Sequence, residues 1–477
     1  MKNGGQITVF LSLVLCGILA LMLSATEIVR ISVGNAKAAV AAEAAALSVQ
    51  AAYNRELFEV YHLLAIDKEF GGQGEGKLEQ MAEDYLVYTL CDEKESDMKV
   101  SQVALSGYVS IVDDDYKNLR RQISEYMKLY MDVNGTGDII GMLEKEKKAG
   151  KDSVLEIEKG KDIKDKVEKK WIGKDPRKTL NKALSGGVLE LVVPAEVPSK
   201  ESHDIETVPA DDVNEWEDIA FDDMDELTRA LSSGNEGDLK HLTDNVYGIY
   251  YALKFFNTYT EKKADRPLCC EVEYMIGGKT SDYANLSSVV NRIILHRFPV
   301  VYAYIVTDKS KISAVCPMAA VLSIVCRVSY STMKYLLLGC WAYGETLADI
   351  RVLLSGKKIS FVKKKSTWLT DISDIGKLCV DNVPSYEGAD GVDYNSYLAL
   401  LLAECSGKLY GRIASVIQFN IRQNDEQFQM DNMIYSFSLD MTISQQQKFA
   451  AFVYDLAEGV DIDGENYGHR YRITKSY

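Results

Sequence analysis

One stretch near the start constrains this chain more than any other: "NGGQITVFLSLVLCGILALMLSATEIVR". Residues 7–25 hold no charged side chain, and Thr8, Ser12 and Ser24 are their only polar ones. A helix of that length rises roughly 30 Å, the thickness of a bilayer's hydrocarbon layer. The run therefore reads as a single membrane-spanning helix, an anchor within residues 1–26. A cleaved secretory signal has a shorter apolar core and a small-residue site followed by a break in helicity. Here the site Ser24-Ala25-Thr26 opens into more helix, so a signal ahead of a soluble helix stands as the alternative reading.

Residues 27–70 continue the pattern, with no proline and a single Gly34 up to Ala65. Alanine is the strongest helix former, so one long helix is expected from the membrane to Ala65. Ile28, Ile31, Asn35, Ala38, Ala42, Ala45, Val49 and Ala52 follow a 3–4 spacing, a narrow seam of mostly small side chains suited to close helix packing. The expected use of that seam is assembly, with another copy or a neighbouring protein. Packing within the chain is the other reading. Glu27 and Arg30 form an i, i+3 pair at the far end of the apolar run.

The full 477 residues, 47% apolar and 26% charged, allow a substantial folded core. Charge is uneven: residues 143–182 hold 14 basic and 9 acidic side chains, and residues 201–238 hold 14 acidic and one arginine. The lysines alternate with acids and no aromatic series interleaves them, so nucleic acid is not an expected partner. Residues 191–223 read as an acidic, Pro-containing linker. Residues 71–190 are then a first α+β region with a charged helix, and residues 224–477 a main α+β domain. Strands are expected at "VSQVALSGYVSIVD" and "CEVEYMI". Alternation at Met433, Tyr435, Phe437, Leu439, Met441 and Ile443, then at Tyr467, His469, Tyr471 and Ile473, gives half-buried C-terminal antiparallel strands. Residues 312–326 are apolar but short and contain Pro317, which suits a core helix. The expected class is α+β and helix-rich, its sheet assembled from strands distant in sequence.

Catalytic and metal motifs are weak. Gly278-Lys279-Thr280 lacks the first glycine of a phosphate loop, where Glu273 stands. Asp132, Asn134 and Gly137 start like a calcium loop, but Thr136, Ile140 and Leu143 occupy later ligand positions. His62, His203, His241, His296 and His469 are scattered, and Asp113, Asp114 and Asp115 read as the polar start of a helix. Of nine cysteines, Cys16, Cys316, Cys326 and Cys340 sit in apolar sequence, and the adjacent Cys269 and Cys270 do not suit a shared structural zinc. Reduced thiols, no cofactor, no metal and no enzymatic activity are expected.

Lys2, Gly4 and Gly5 ahead of the apolar run resemble the short basic leader of type IV prepilins and of TadE/TadG-like proteins. That resemblance implies processing between Gly5 and Gln6, although the fifth mature residue would be Phe10 where those families carry glutamate. The stretches "GQITVFLSLVL", "YNRELFEVYHLLAID", "QISEYMK", "CEVEYMIGGKTSDYANL", "WAYGETLADIRVLLSGKKISFVKK", "YNSYLALLLAE" and "FNIRQ" together resemble an uncharacterised clostridial-type membrane protein family, a domain of unknown function found beside tight-adherence (Tad/Flp) pilus genes. The resemblance implies a non-enzymatic, pseudopilin-like or accessory envelope protein. Its partners would be the membrane and other pilus components or itself, with most of the chain outside the cytoplasm. Orientation rests on the resemblance alone, because Lys2 and the amino terminus nearly balance Arg30 and Lys37 across the run. A membrane-tethered enzyme or receptor is the alternative.

Overall fold

The structure, a computed structural model, describes residues 4–70, 74, 76–91, 97–129, 173–208, 239–448 (apart from 376, 379 and 381), 460–463 and 466–477. In chain order the elements are α1 (Gly4–Gln50), α2 (Arg55–Tyr61), β1 (Ile66–Asp67), α3 (Gly76–Cys91), β2 (Met98–Ser110), α4 (Asp113–Lys128), α5 (Pro176–Ala183), α6 (Val188–Val192) and α7 (Leu239–Phe255). There follow α8 (Glu271–Gly277), α9 (Asp282–Ile305), α10 (Lys309–Cys326), α11 (Tyr330–Leu354), β3 (Ile359–Ser360), β4 (Gly391–Val392), α12 (Tyr394–Glu404), α13 (Ser406–Ile421), β5 (Met433–Gln446), β6 (Val460–Asp463) and β7 (Asn466–Ser476). Helix makes up 60% and strand 13%, with an antiparallel sheet, so the class is the expected α+β.

Two compact units form, one from Met1–Gln122 with Ile421–Tyr477, the other from Ile123–Asn420. The linear division into residues 71–190 and 224–477 differs from this, because the C-terminal strands fold with the N-terminal region. In the first unit β5 is central, antiparallel to β2 along one edge and to β7 along the other, with β6 beyond β7. The expected alternation along β5 is present: Met433, Tyr435, Phe437, Leu439, Met441 and Ile443 are all buried. Three register shifts interrupt β2, the outer strand on its side of β5 among the described residues, which blunts its free edge.

Helix α1 has two halves with different surroundings. Residues 7–23 are exposed but for their packing against one another, with Phe10 68% and Leu21 72% accessible. The distal half instead lies on the sheet and on α3. Ala38, Ala42, Ala45 and Val49 are fully buried in one core with Leu78, Ala82 and Leu86 of α3 and Phe437, Leu439, Met441 and Ile443 of β5. Ile31 joins the buried stripe, whereas Ile28 is exposed and lies outside it. The seam's occupant at Ala38–Val49 is thus the chain itself, which corrects the expectation that this stretch is an assembly surface. A methyl group contributes under ~1 kcal/mol by burial, so its advantage is that small residues let the helix approach large sheet side chains. Polar ties run down the same flank: Tyr471 Oη donates to the Asn35 carbonyl (2.8 Å), and Gln50 Nε2 donates to the Ser476 carbonyl (2.8 Å).

The long helix stops at Gln50 and does not reach Ala65. Asn54 accepts the Leu57 N–H through its side chain (2.9 Å) and caps a new helix, α2. Its own N–H goes to the Ala65 carbonyl (2.8 Å), and His62, at φ 55°, ends α2 in a left-handed turn. A capping asparagine outcompetes helix continuation there.

The second unit is helical. Helix α11 packs on α9 and α10, α8 on α9, and α12 on α7 and α8. "CEVEYMI" forms helix α8, not the expected strand. Every residue from Cys270 to Ile276 is buried, so alternation there carried no facial information. Helix α10 is long and apolar enough to cross a membrane by length and composition. It buries Val315, Met318, Ala319 and Leu322 while Ile324 and Val325 stay exposed. Residues 191–208 are not a free linker: the Val208 N–H donates to Ser415 Oγ (3.1 Å), the His203 N–H to the Thr280 carbonyl (2.8 Å), and Arg351 Nη1 to the Leu191 carbonyl (3.1 Å). The rest of that acidic stretch, the Asp132–Leu143 calcium-like loop and most of the lysine-rich block lie outside the described residues.

Candidate functional site

Three polar constellations stand out, one in the first unit and two in the second. The first closes the apolar run. Glu27, fully buried, accepts from Arg30 (2.6 Å) and from the Lys448 N–H (3.2 Å). Arg30 also binds Asp97, just before β2, and the Gln446 carbonyl at the end of β5. The Glu27/Arg30 pair is therefore a collar that ties α1 to both strands, and not an isolated ion pair on one helix. Gly34 completes it, because a Cβ there would come 2.2 Å from Gln445 Oε1. Gln445 in turn meets His469 Nε2 (3.1 Å), and burial holds that imidazole below its usual pKa. Gly5 and Gln6 lie in the first turns of α1.

In the second unit, buried carboxylates hold a loop by its amides. Glu271 accepts the Asn257 N–H (2.6 Å) and Arg266 (3.0 Å). Glu273 accepts the Tyr259 N–H (2.9 Å) and Tyr394 Oη (2.8 Å). Asp282 takes the N–H groups of Cys269 (3.1 Å) and Cys270 (3.0 Å), one on each oxygen. Among the described residues Glu273 Oε2 has no hydrogen-bond partner. Burial pushes the Glu273 carboxyl from its ordinary 4.5 up to about 7, and Asp282 nearby adds to the rise. The hydrogen bond to Cys269, burial and the Glu273 charge hold the Cys270 thiol well above its usual range.

That carboxyl yields a pH prediction. The folded chain keeps the Glu273 proton up to about pH 7, whereas the unfolded chain releases it near 4.5. Stability from this group is therefore present below 4.5 and is lost as pH rises to 7, by about 3 kcal/mol at about 1.4 kcal/mol per pH unit. Glu273→Gln keeps an acceptor for Tyr259 and Tyr394 and removes the ionisation. Urea unfolding of the variant at pH 8 should show a higher midpoint than wild type, with a flatter profile between pH 5 and 7.

The third constellation is a closed ionic network between α9, α11 and the loop after β3. Arg297 donates to Asp349 (2.8 Å) and to the Ser360 (2.7 Å) and Phe361 carbonyls. Lys363 donates to Glu345 (2.5 Å) and Asp349 (2.7 Å). Glu345 also accepts the Leu369 and Thr370 N–H groups, each at 2.8 Å. Two cations and two anions, all buried, balance each other.

Other sequence candidates are structural. Gly278, at φ 64°, ends α8 where Arg412 donates to the Met275 (2.6 Å) and Ile276 (2.8 Å) carbonyls. Asn285 pairs with both the N–H (2.8 Å) and the carbonyl (2.9 Å) of Lys279, so "GGKT" is a locked helix-to-helix turn. His296 pairs with Glu404 (3.1 Å), and His241 lies in α7. The Ser110 N–H donates to Asp113 (2.7 Å) where α4 starts. Sequence reasoning missed Glu271, Glu273, Asp282 and the Arg297 network. Two glutamates inside the otherwise apolar "EVEYMI" were the available signal, since buried carboxylates require donors.

No curated protein and no solved structure matches this chain. A family described only as of unknown function matches residues 166–445, which take in the Cys269–Asp282 cluster and the Arg297 network. That match covers more than half of the sequence, and the chain belongs to this family of unknown function, DUF5702.

Proposed function

We infer that the chain is a single-pass, membrane-anchored envelope protein without enzymatic activity, a pseudopilin-like or accessory component of a tight-adherence pilus or secretion system. The observation that carries this reading is the division of α1, bare and apolar for its first half and locked onto an antiparallel sheet for its second. A helix built this way transmits the position of the membrane directly to the folded part, because the collar at Glu27 and Arg30 leaves no hinge between them. The resemblance of the leader and the internal stretches to proteins encoded beside pilus genes supports the setting, and with it an extracytoplasmic position for most of the chain.

Orientation is tested through two exposed thiols, Cys269 and Cys326. A membrane-impermeant maleimide added to intact, wall-stripped cells should label the chain, and C269S/C326S should weaken that signal. Labelling only after lysis would place the folded part in the cytoplasm. For the pilus assignment, a tagged chain should co-localise with the pilus machinery and redistribute when those genes are deleted. An unchanged distribution contradicts it.

A further inference from the structure

We propose that Cys269, Cys270 and Asp282 form a binding site for one thiophilic divalent cation of the zinc class, backed by the buried carboxylate of Glu273. Adjacent side chains of an extended chain point to opposite sides, which is why neighbouring cysteines argue against a shared ion. The backbone at Cys270, with φ −121° and ψ 56°, instead brings both sulfurs to one side, 3.5 Å apart. Two thiolates on a tetrahedral zinc, at about 2.3 Å each, stand roughly 3.8 Å apart. The two sulfurs and an Asp282 oxygen all lie within 4.8 Å of one another.

The supporting groups fit a cation. Asp282 spends one lone pair of each oxygen on the N–H groups of the two cysteines, which fixes the backbone that aims the thiols and leaves further lone pairs for a metal. Glu273, one turn along α8, is fully buried, and its Oε2 lacks a hydrogen-bond partner among the described residues. Asp282 and Glu273 are both buried, and a bound cation would supply a positive charge beside them. Cys269 is exposed, which gives an ion an entry path and an open coordination position for a further ligand.

The test uses the full-length, reduced chain in detergent, titrated with Co2+ as a probe. The expected result is one equivalent bound, with a thiolate-to-cobalt charge-transfer band and the strong visible bands of a tetrahedral site, all displaced by Zn2+. C269S, at an exposed position, should abolish the charge-transfer band or weaken binding at least tenfold, and C270S should do the same, with each variant's urea midpoint measured alongside. C405S should bind as wild type does. Three results would each overturn the proposal: a reduced wild-type chain without the band, a band that survives in C269S, or a Cys269–Cys270 disulfide in chain isolated from cells without reductant.

Discussion

Arg297→Met should lower the urea midpoint of the detergent-solubilised chain by the equivalent of roughly 3–5 kcal/mol with little change in m-value, the usual cost of breaking a buried ion pair by removing one partner. Arg297 is completely buried. The substitution leaves Asp349 with Lys363 alone, the Ser360 and Phe361 carbonyls without their donor, and one uncompensated negative charge in the core. Arg297→Lys keeps the charge but not the fork that reaches three acceptors, so its loss should be intermediate. Equal losses for the two variants would show that side-chain volume, and not the network, matters at this position. The network's role is to fasten the segment after β3 onto α9 and α11, since Glu345 also holds the Leu369 and Thr370 amides.

The second large effect concerns the alanine face. Replacing Ala38, Ala42 and Ala45 together with leucine should destabilise the first unit by several kcal/mol, because overpacking a filled core costs roughly 1–3 kcal/mol per site. All three positions are completely buried against α3 and β5. Leucine keeps helix propensity, so the loss must come from forcing α1 off the sheet. Val40→Leu, on the exposed face of the same helix, is the control and should change stability by less than about 0.5 kcal/mol. Limited proteolysis and urea titration read both variants. Were the triple variant as stable as wild type but poorer at associating with other proteins, the seam would be an interface with a partner.

The sequence carried some of this fold plainly. The apolar run and the alternation from Met433 to Ile443 are period signals, and both appear in the structure as a bare helix and a half-buried strand. The alanine spacing announced a close helix contact but could not name what fills it, because β5 lies far away along the chain. Other features left no periodic trace. Residues 270–276 are buried on every side, so helix and strand look alike there. The 191–208 strap is fixed by backbone hydrogen bonds, which composition does not record. Asn54 breaks the long helix through a local cap, a choice that depends on Ala65 returning to meet it. The candidate cation site depends on one unusual backbone turn at Cys270 and on an aspartate twelve residues further on.

The proposed function requires residues 7–50 of α1 to be retained, the first half in the bilayer and the second in the folded core. Alkaline carbonate extraction of membranes from cells expressing the chain, followed by mass measurement of each fraction, tests this directly. The predicted result is a chain that stays in the membrane pellet with residues 7–25 intact. Recovery as a soluble species beginning near Thr26 would contradict it.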